Sequence, residues 1–206
     1  MEVGGRPLGW SHEGDLLFVS EFGSDRVWVK PLPFWDIVSN LRVQGANTIH
    51  PFAITGDNTL LATGDGTEGL EIWDLKTKQR LGPVPFVQLR DFAFSIDGRR
   101  LVARDHQGLV HLYAVNRDEI EHPLVRLWGP PSKIVETDFH FWPTFVKEGR
   151  ELLVATAREA RWIDVKTGSS VRAVPVRVSC RKASDGRYLA YGGLEESGLV
   201  DLSSGE

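Results

Sequence analysis

Cysteine is nearly missing from this sequence: Cys180 is the only one among 206 residues. An internal disulfide is therefore excluded. The thiol stands beside Val176 and Val178 and reads as a small buried hydrophobe. Methionine also occurs once. No basic excess exists, because 28 Asp and Glu outweigh 24 Lys and Arg for a net charge of −4. That excludes a whole-surface fit to nucleic acid, which requires a basic footprint. No apolar stretch approaches the ~18 residues of a membrane-spanning helix. Met1–Pro7 lacks the apolar centre of a signal peptide. The expected setting is cytoplasmic, with no membrane contact. No segment holds a helical period of apolar residues, so almost no helix is expected.

Catalytic signatures are missing as well. There is no G-x-S-x-G nucleophile turn. The six histidines, His12, His50, His106, His111, His122 and His140, lack the spacing of a zinc site. Ser11-His12 and Asp105-His106 are neighbours in sequence, and neighbours on a strand point to opposite faces. Gly64-Asp-Gly-Thr-Glu-Gly69 satisfies G-x-G-x-x-G in letters. A dinucleotide site also needs a helix after that loop, and here an apolar strand pattern follows, Leu70 to Asp74. The expectation is a chain that is not an enzyme and holds no catalytic residue, cofactor or metal.

Glycine (21) and tryptophan (7), in contrast, are plentiful. They recur in a repeated pattern of strand, turn, strand, turn, strand. One copy is Phe92-Ala-Phe-Ser-Ile-Asp-Gly-Arg-Arg-Leu-Val-Ala-Arg, then Asp105-His-Gln-Gly, then Leu109-Val-His-Leu-Tyr-Ala-Val. Five copies align on the turn residues Gly14, Asn58, Gly98, Gly149 and Gly186, which fall 44, 40, 51 and 37 residues apart. Glycine accepts positive φ at such a turn, and asparagine is its best substitute. Each turn leads into a short apolar run: Leu16–Val19, Leu60–Ala62, Leu101–Ala103, Leu152–Ala155 and Tyr188–Tyr191. These lengths suit strands buried on both faces.

A spacing near 40–45 residues with four strands per unit resembles the WD-repeat family. Trp73-Asp74 matches the dipeptide that names it, and Phe94–Gly98 matches its Phe-Ser-x-Asp-Gly turn. Weaker versions are Trp162-Ile-Asp-Val and Val110-His-Leu-Tyr-Ala. The resemblance implies an all-β propeller of about five four-stranded blades. Their approximate spans are 6–44, 45–86, 87–128, 134–174 and 175–206, with the last blade incomplete. No copy carries the Gly-His pair that usually opens a blade, so the family's His–Ser/Thr–Trp network is expected to be missing. The unfilled last blade predicts a segment of a larger propeller, with self-association or continuation in a longer chain.

The function this implies is a non-enzymatic scaffold for protein partners. The alternative is a propeller domain of a larger hydrolase, redox enzyme or bacterial signalling or sensor protein, with catalysis elsewhere. The expected docking loops join second to third strands: 21–25, 65–69, 105–108, 157–159 and 193–197. The candidate partner-binding residues are Phe22, His106, Trp128, His140, Trp142 and Arg158. Trp128 and Trp142 flank the stiff Pro130-Pro131 insertion and have the bulk of interface anchors. Residues 147–187 hold ten Lys and Arg against five Asp and Glu, which suits an acidic partner.

Overall fold

The computed structural model describes residues 5–11, 14–21, 26–31, 39–42, 52–64, 70–84, 89–105, 107–119, 123–127, 132–133, 142–155, 159–175, 180–182, 188–192 and 197–201. Among them there is no helix, and all regular structure is antiparallel strand. Blade 1 is β1 (Gly5–Trp10), β2 (Leu16–Glu21), β3 (Arg26–Pro31) and β4 (Ser39–Arg42). Blade 2 is β5 (Phe52–Ile54), β6 (Leu60–Gly64), β7 (Leu70–Asp74) and β8 (Gln79–Val84). Blade 3 is β9 (Leu89–Phe94), β10 (Arg100–Asp105), β11 (Leu109–Val115) and β12 (Leu124–Arg126), with a fifth short strand, β13 (Ser132–Lys133). Blade 4 is β14 (Trp142–Val146), β15 (Glu151–Ala155), β16 (Glu159–Asp164) and β17 (Ser170–Pro175). Blade 5 shows three described strands, β18 (Cys180–Lys182), β19 (Tyr188–Gly192) and β20 (Ser197–Asp201).

Each sheet is a meander, because short turns allow only antiparallel neighbours. The second strand lies inside its sheet and between sheets. Phe18, Leu61, Ala62, Leu101, Val102, Leu152 and Val154 are accordingly buried. Burying each of the larger of these side chains contributes about 1.5–3 kcal/mol. Alternation along the strands sends one face to the preceding blade and one to the next. Phe18, Val27 and Val29 of blade 1 meet Leu61 and Trp73 of blade 2. The other face of blade 2, Leu60, Ala62 and Ile72, meets Leu101, Ala103 and Tyr113 of blade 3. Val102, Val110 and Leu112 then meet Leu152, Val154 and Ile163 of blade 4. Blades 1 to 4 are stacked in chain order, with β5, β9 and β14 side by side as first strands.

Register shows which residues correspond between blades. Leu61 faces Trp73, Leu101 faces Tyr113, and Leu152 faces Ile163. Trp162 stands opposite Leu153 instead. A shift of one residue moves a side chain to the other face. Tyr113 and Ile163 therefore occupy the place of Trp73, and Trp162 does not. Asp164 does match Asp74: each carboxylate accepts the N–H of the threonine three residues on, Thr77 or Thr167, at 2.7 Å. The segment after Trp128 also differs from the loop expected there. β12 covers Tyr113–Val115, and Ser132–Lys133 pairs with the still open edge at Leu109–Val110.

Candidate functional site

Most of the docking residues expected from sequence lie outside the described residues: Phe22, His106, Trp128, His140 and Arg158. Trp142 is placed by its backbone. It begins β14 opposite Ala155, in the first strand of blade 4 and not in a connecting loop. The Gly64–Gly69 stretch joins β6 to its antiparallel neighbour β7, so the strand-to-helix context of a dinucleotide loop is absent there. Among the described residues, no group of three or more His, Cys, Asp or Glu could hold a metal ion. No helix among them is long and apolar enough to cross a membrane.

One end of the molecule carries the turns between first and second strands. Blades 1 to 3 build this turn alike. The backbone N–H of Ser11, Thr55 and Ser95 donates to the carbonyl of Leu16, Leu60 and Arg100. Each hydroxyl accepts the N–H of that same residue, at 2.9, 3.0 and 3.0 Å. Each hydroxyl also donates to an aspartate, Asp15, Asp57 or Asp97. Asn58 and Gly98 take the positive φ that closes the turn, at 56° and 63°, as their residue types predict.

These turns are also bolted to one another. Arg117, from the outer turn of blade 3, donates to Asp57 at 2.7 Å and to Thr59 at 2.6 Å in blade 2. Gly98 lies beneath it, where a Cβ would come within 2.2 Å of the Arg117 guanidinium and 2.9 Å of the Thr55 methyl. Arg100 reaches the other way and donates to the Gly149 carbonyl of blade 4 at 2.9 Å.

Partial burial alone would raise the Asp57 pKa. Hydrogen bonds from Arg117, Thr55 and Thr59 outweigh it and hold the carboxyl well below the usual range. Asp97 is lowered on the same logic, by Ser95 and the Arg99 N–H. A depressed folded-state pKa gives stability that is present above the unfolded value of about 3.9 and lost as pH falls below it. Urea midpoints are expected to be flat for this contribution above about pH 5 and to fall below about pH 4. Asp57→Asn should remove part of that acid slope. Solvent at this turn limits the pair to about 1 kcal/mol, and an unchanged slope in the variant would contradict the assignment.

Blade 4 breaks the pattern. Val146 stands where the others have Ser or Thr, although Gly149 still donates to its carbonyl at 3.1 Å, as Asn58 and Gly98 do to Thr55 and Ser95. Lys147, Glu148 and Gly149 all take positive φ, at 49°, 56° and 82°. Two of these are bulky residues, and each such placement costs about 1–2 kcal/mol. The Lys147 ammonium partly offsets this by meeting Glu151 at 3.0 Å, and Arg150 donates to the Lys147 carbonyl at 3.2 Å.

Beside this turn opens a cleft of about 510 Å³ between blades 3 and 4. Its walls carry the cations Arg100, Arg150 and Lys166, the carboxylate of Asp164, and the apolar Leu127 and Val165. The N–H of Thr167, then its hydroxyl, holds the Asp164 carboxyl below its ordinary pKa. The cations come from segments far apart in sequence. Arg150 and Lys166 belong to the positively charged stretch 147–187, and Arg100 lies outside it.

A second polar cluster was not foreseen. Asp105 closes the turn between β10 and β11 by accepting the N–H of Gln107 and of Leu109, both at 2.9 Å. Its other oxygen meets His111 Nε2 at 2.9 Å. The Tyr113 hydroxyl and Arg126 approach His111 Nδ1 at 3.4 Å. Burial pushes the Tyr113 phenol up to about 12. In blade 2, by contrast, the Trp73 Nε1 and Thr63 Oγ1 are buried with no hydrogen-bond partner among the described residues. On the opposite face of blade 3, Arg104 Nε donates to Asp91 at 3.0 Å, and its Nη2 joins the same oxygen.

No protein-family model and no curated protein matches the sequence. Solved structures do. The Cps50 (Swd1) β-propeller domain of Myceliophteria thermophila is 16% identical with a TM-score of 0.71, covering 96% of this chain and 62% of that one. Hydrazine synthase of Kuenenia stuttgartiensis is 14% identical with a TM-score of 0.65, covering all of this chain and 65% of that one. The chain thus spans less than two thirds of either. At these identities the likeness is one of architecture, and together with the stacked antiparallel meanders it shows that this chain has the fold of a β-propeller.

Proposed function

We propose that the chain is a WD-repeat-like scaffold on which other proteins assemble, and that it performs no chemistry itself. The observation that supports this best is the locked turn end of blades 2 to 4. Arg117 and Arg100 tie neighbouring turns together, and the fixed frame presents the charged cleft beside them. Rigid elements that hold polar groups in place lower the ordering cost of binding. Trp73-Asp74, with Tyr113 in the matching place of blade 3, supports the WD-repeat part of the reading.

The likeness to hydrazine synthase favours a second reading, a propeller domain within a larger enzyme. One experiment tests the scaffold reading. Photo-crosslinking from surface positions of the chain in its native cell should trap a protein that, once purified, forms a stable complex with it. Turnover of any substrate by the purified chain would overturn the scaffold reading.

A further inference from the structure

We infer that the cleft between blades 3 and 4 binds an extended acidic peptide segment carrying a leucine-like side chain. The inference rests on the scaffold reading and names the chemistry of one partner. Three cations, Arg100, Arg150 and Lys166, line the cleft against one carboxylate, Asp164. That carboxylate already accepts the Thr167 N–H at 2.7 Å. The guanidinium of Arg100 is held in place by the Gly149 carbonyl. It is a planar group with five N–H donors, and one bond does not exhaust it. An anchored guanidinium suits a carboxylate because little freedom remains to be lost on binding.

The apolar part is Leu127, which is 46% exposed at the end of the outer strand of blade 3. Its backbone N–H is bonded to the Leu112 carbonyl, so its position is fixed. A carboxylate-rich segment with one aliphatic side chain would satisfy both features.

The neighbouring turn supports the same conclusion independently. Blades 1 to 3 share a hydroxyl–aspartate turn, and blade 4 gives it up for Lys147-Glu148-Gly149 at positive φ. That exchange keeps an acidic residue, Glu148, which stands 3.6 Å from Arg150, and puts Lys147 where blades 2 and 3 have Gly56 and Ile96. A repeat that abandons a favourable local solution marks a position under a demand other than folding. The segment 147–187, to which Arg150 and Lys166 belong, carries ten cationic and five acidic residues while the whole chain is acidic. Electrostatic complementarity of this kind sets encounter rate and selectivity.

The test uses a fluorescein-labelled peptide of repeated Glu-Glu-Leu, titrated with the full chain and read by fluorescence anisotropy. Saturable binding that weakens as salt rises is expected. The double variant Arg150→Glu/Lys166→Glu should lose about tenfold or more in affinity, and Arg150→Gln/Lys166→Gln should lose less. Lys76→Glu/Lys78→Glu, with the same change in net charge on the outer turn of blade 2, should stay within about twofold. Leu127→Ser should weaken the leucine-bearing peptide and leave a pure glutamate peptide unaffected.

Equal loss in the two charge-reversed variants would overturn the cleft, as would no saturable binding. Tighter binding of a single-stranded oligonucleotide would replace the peptide with a nucleic acid. If a purified protein partner binds wild type and Arg150→Glu/Lys166→Glu equally, the scaffold reading stands and this cleft falls.

Discussion

Replacing Asp91 by alanine is expected to cost about 3–5 kcal/mol of stability, because it leaves the Arg104 guanidinium buried without its carboxylate. Arg104 keeps only 5% of its side-chain surface exposed, and Asp91 only 15%. The two stand directly opposite on β9 and β10, on the face of blade 3 that looks to blade 4. The cost should appear as a lower urea midpoint and a melting temperature lower by roughly 10 °C, at about 2–4 °C per kcal/mol for a chain of this size. Replacing both partners, Asp91→Leu with Arg104→Met, should cost much less, since a buried pair exchanged for apolar groups is often neutral. A loss below about 1 kcal/mol for Asp91→Ala would mean that water reaches the pair.

Leu152→Ala should be nearly as damaging, at about 2–5 kcal/mol. Leu152 is fully buried and packs with Val102, Val110 and Leu112 across the join of blades 3 and 4. The lost burial adds to the cavity that rigid neighbouring sheets cannot fill by collapse. Val125→Ala, at a side chain 54% exposed on the outer strand of blade 3, should change stability by about 0.5 kcal/mol or less. Chemical denaturation of both variants measures the contrast. Equal losses would show that the blade interface is not where the chain's stability is concentrated.

The repeated architecture was legible because turn chemistry is local. Asn58, Gly98 and Gly149 announce positive φ by residue type, and the buried second strands follow as short apolar runs. Register was less legible. Trp162 looks like Trp73 in letters, yet it faces the other side of its sheet. Only pairing across strands reveals that, since the shift lies in strand alignment and not in composition. The Asp91–Arg104 pair was hidden for the same reason, with the partners thirteen positions apart in sequence. The strained turn of blade 4 was half visible. Glu148-Gly149 reads as a turn, but the missing hydroxyl at Val146 was the sign that this turn differs. Of the cleft, sequence showed only the excess of positive charge in 147–187 and its preference for an acidic partner. The loops expected to dock partners fall mostly outside the described residues, and most of their candidate side chains with them.

The grip of Arg117 and Arg100 on neighbouring turns bears on how such a chain can arise by duplication. Copies of one ancestral unit begin as interchangeable modules. Blade 3 has since acquired a left hand shaped for Asp57 and Thr59 and a right hand shaped for Gly149. Gly98 must also stay small to let the left hand pass. Moved to another place in the stack, this blade would find neither partner. The units still look alike in sequence, but they have become numbered parts.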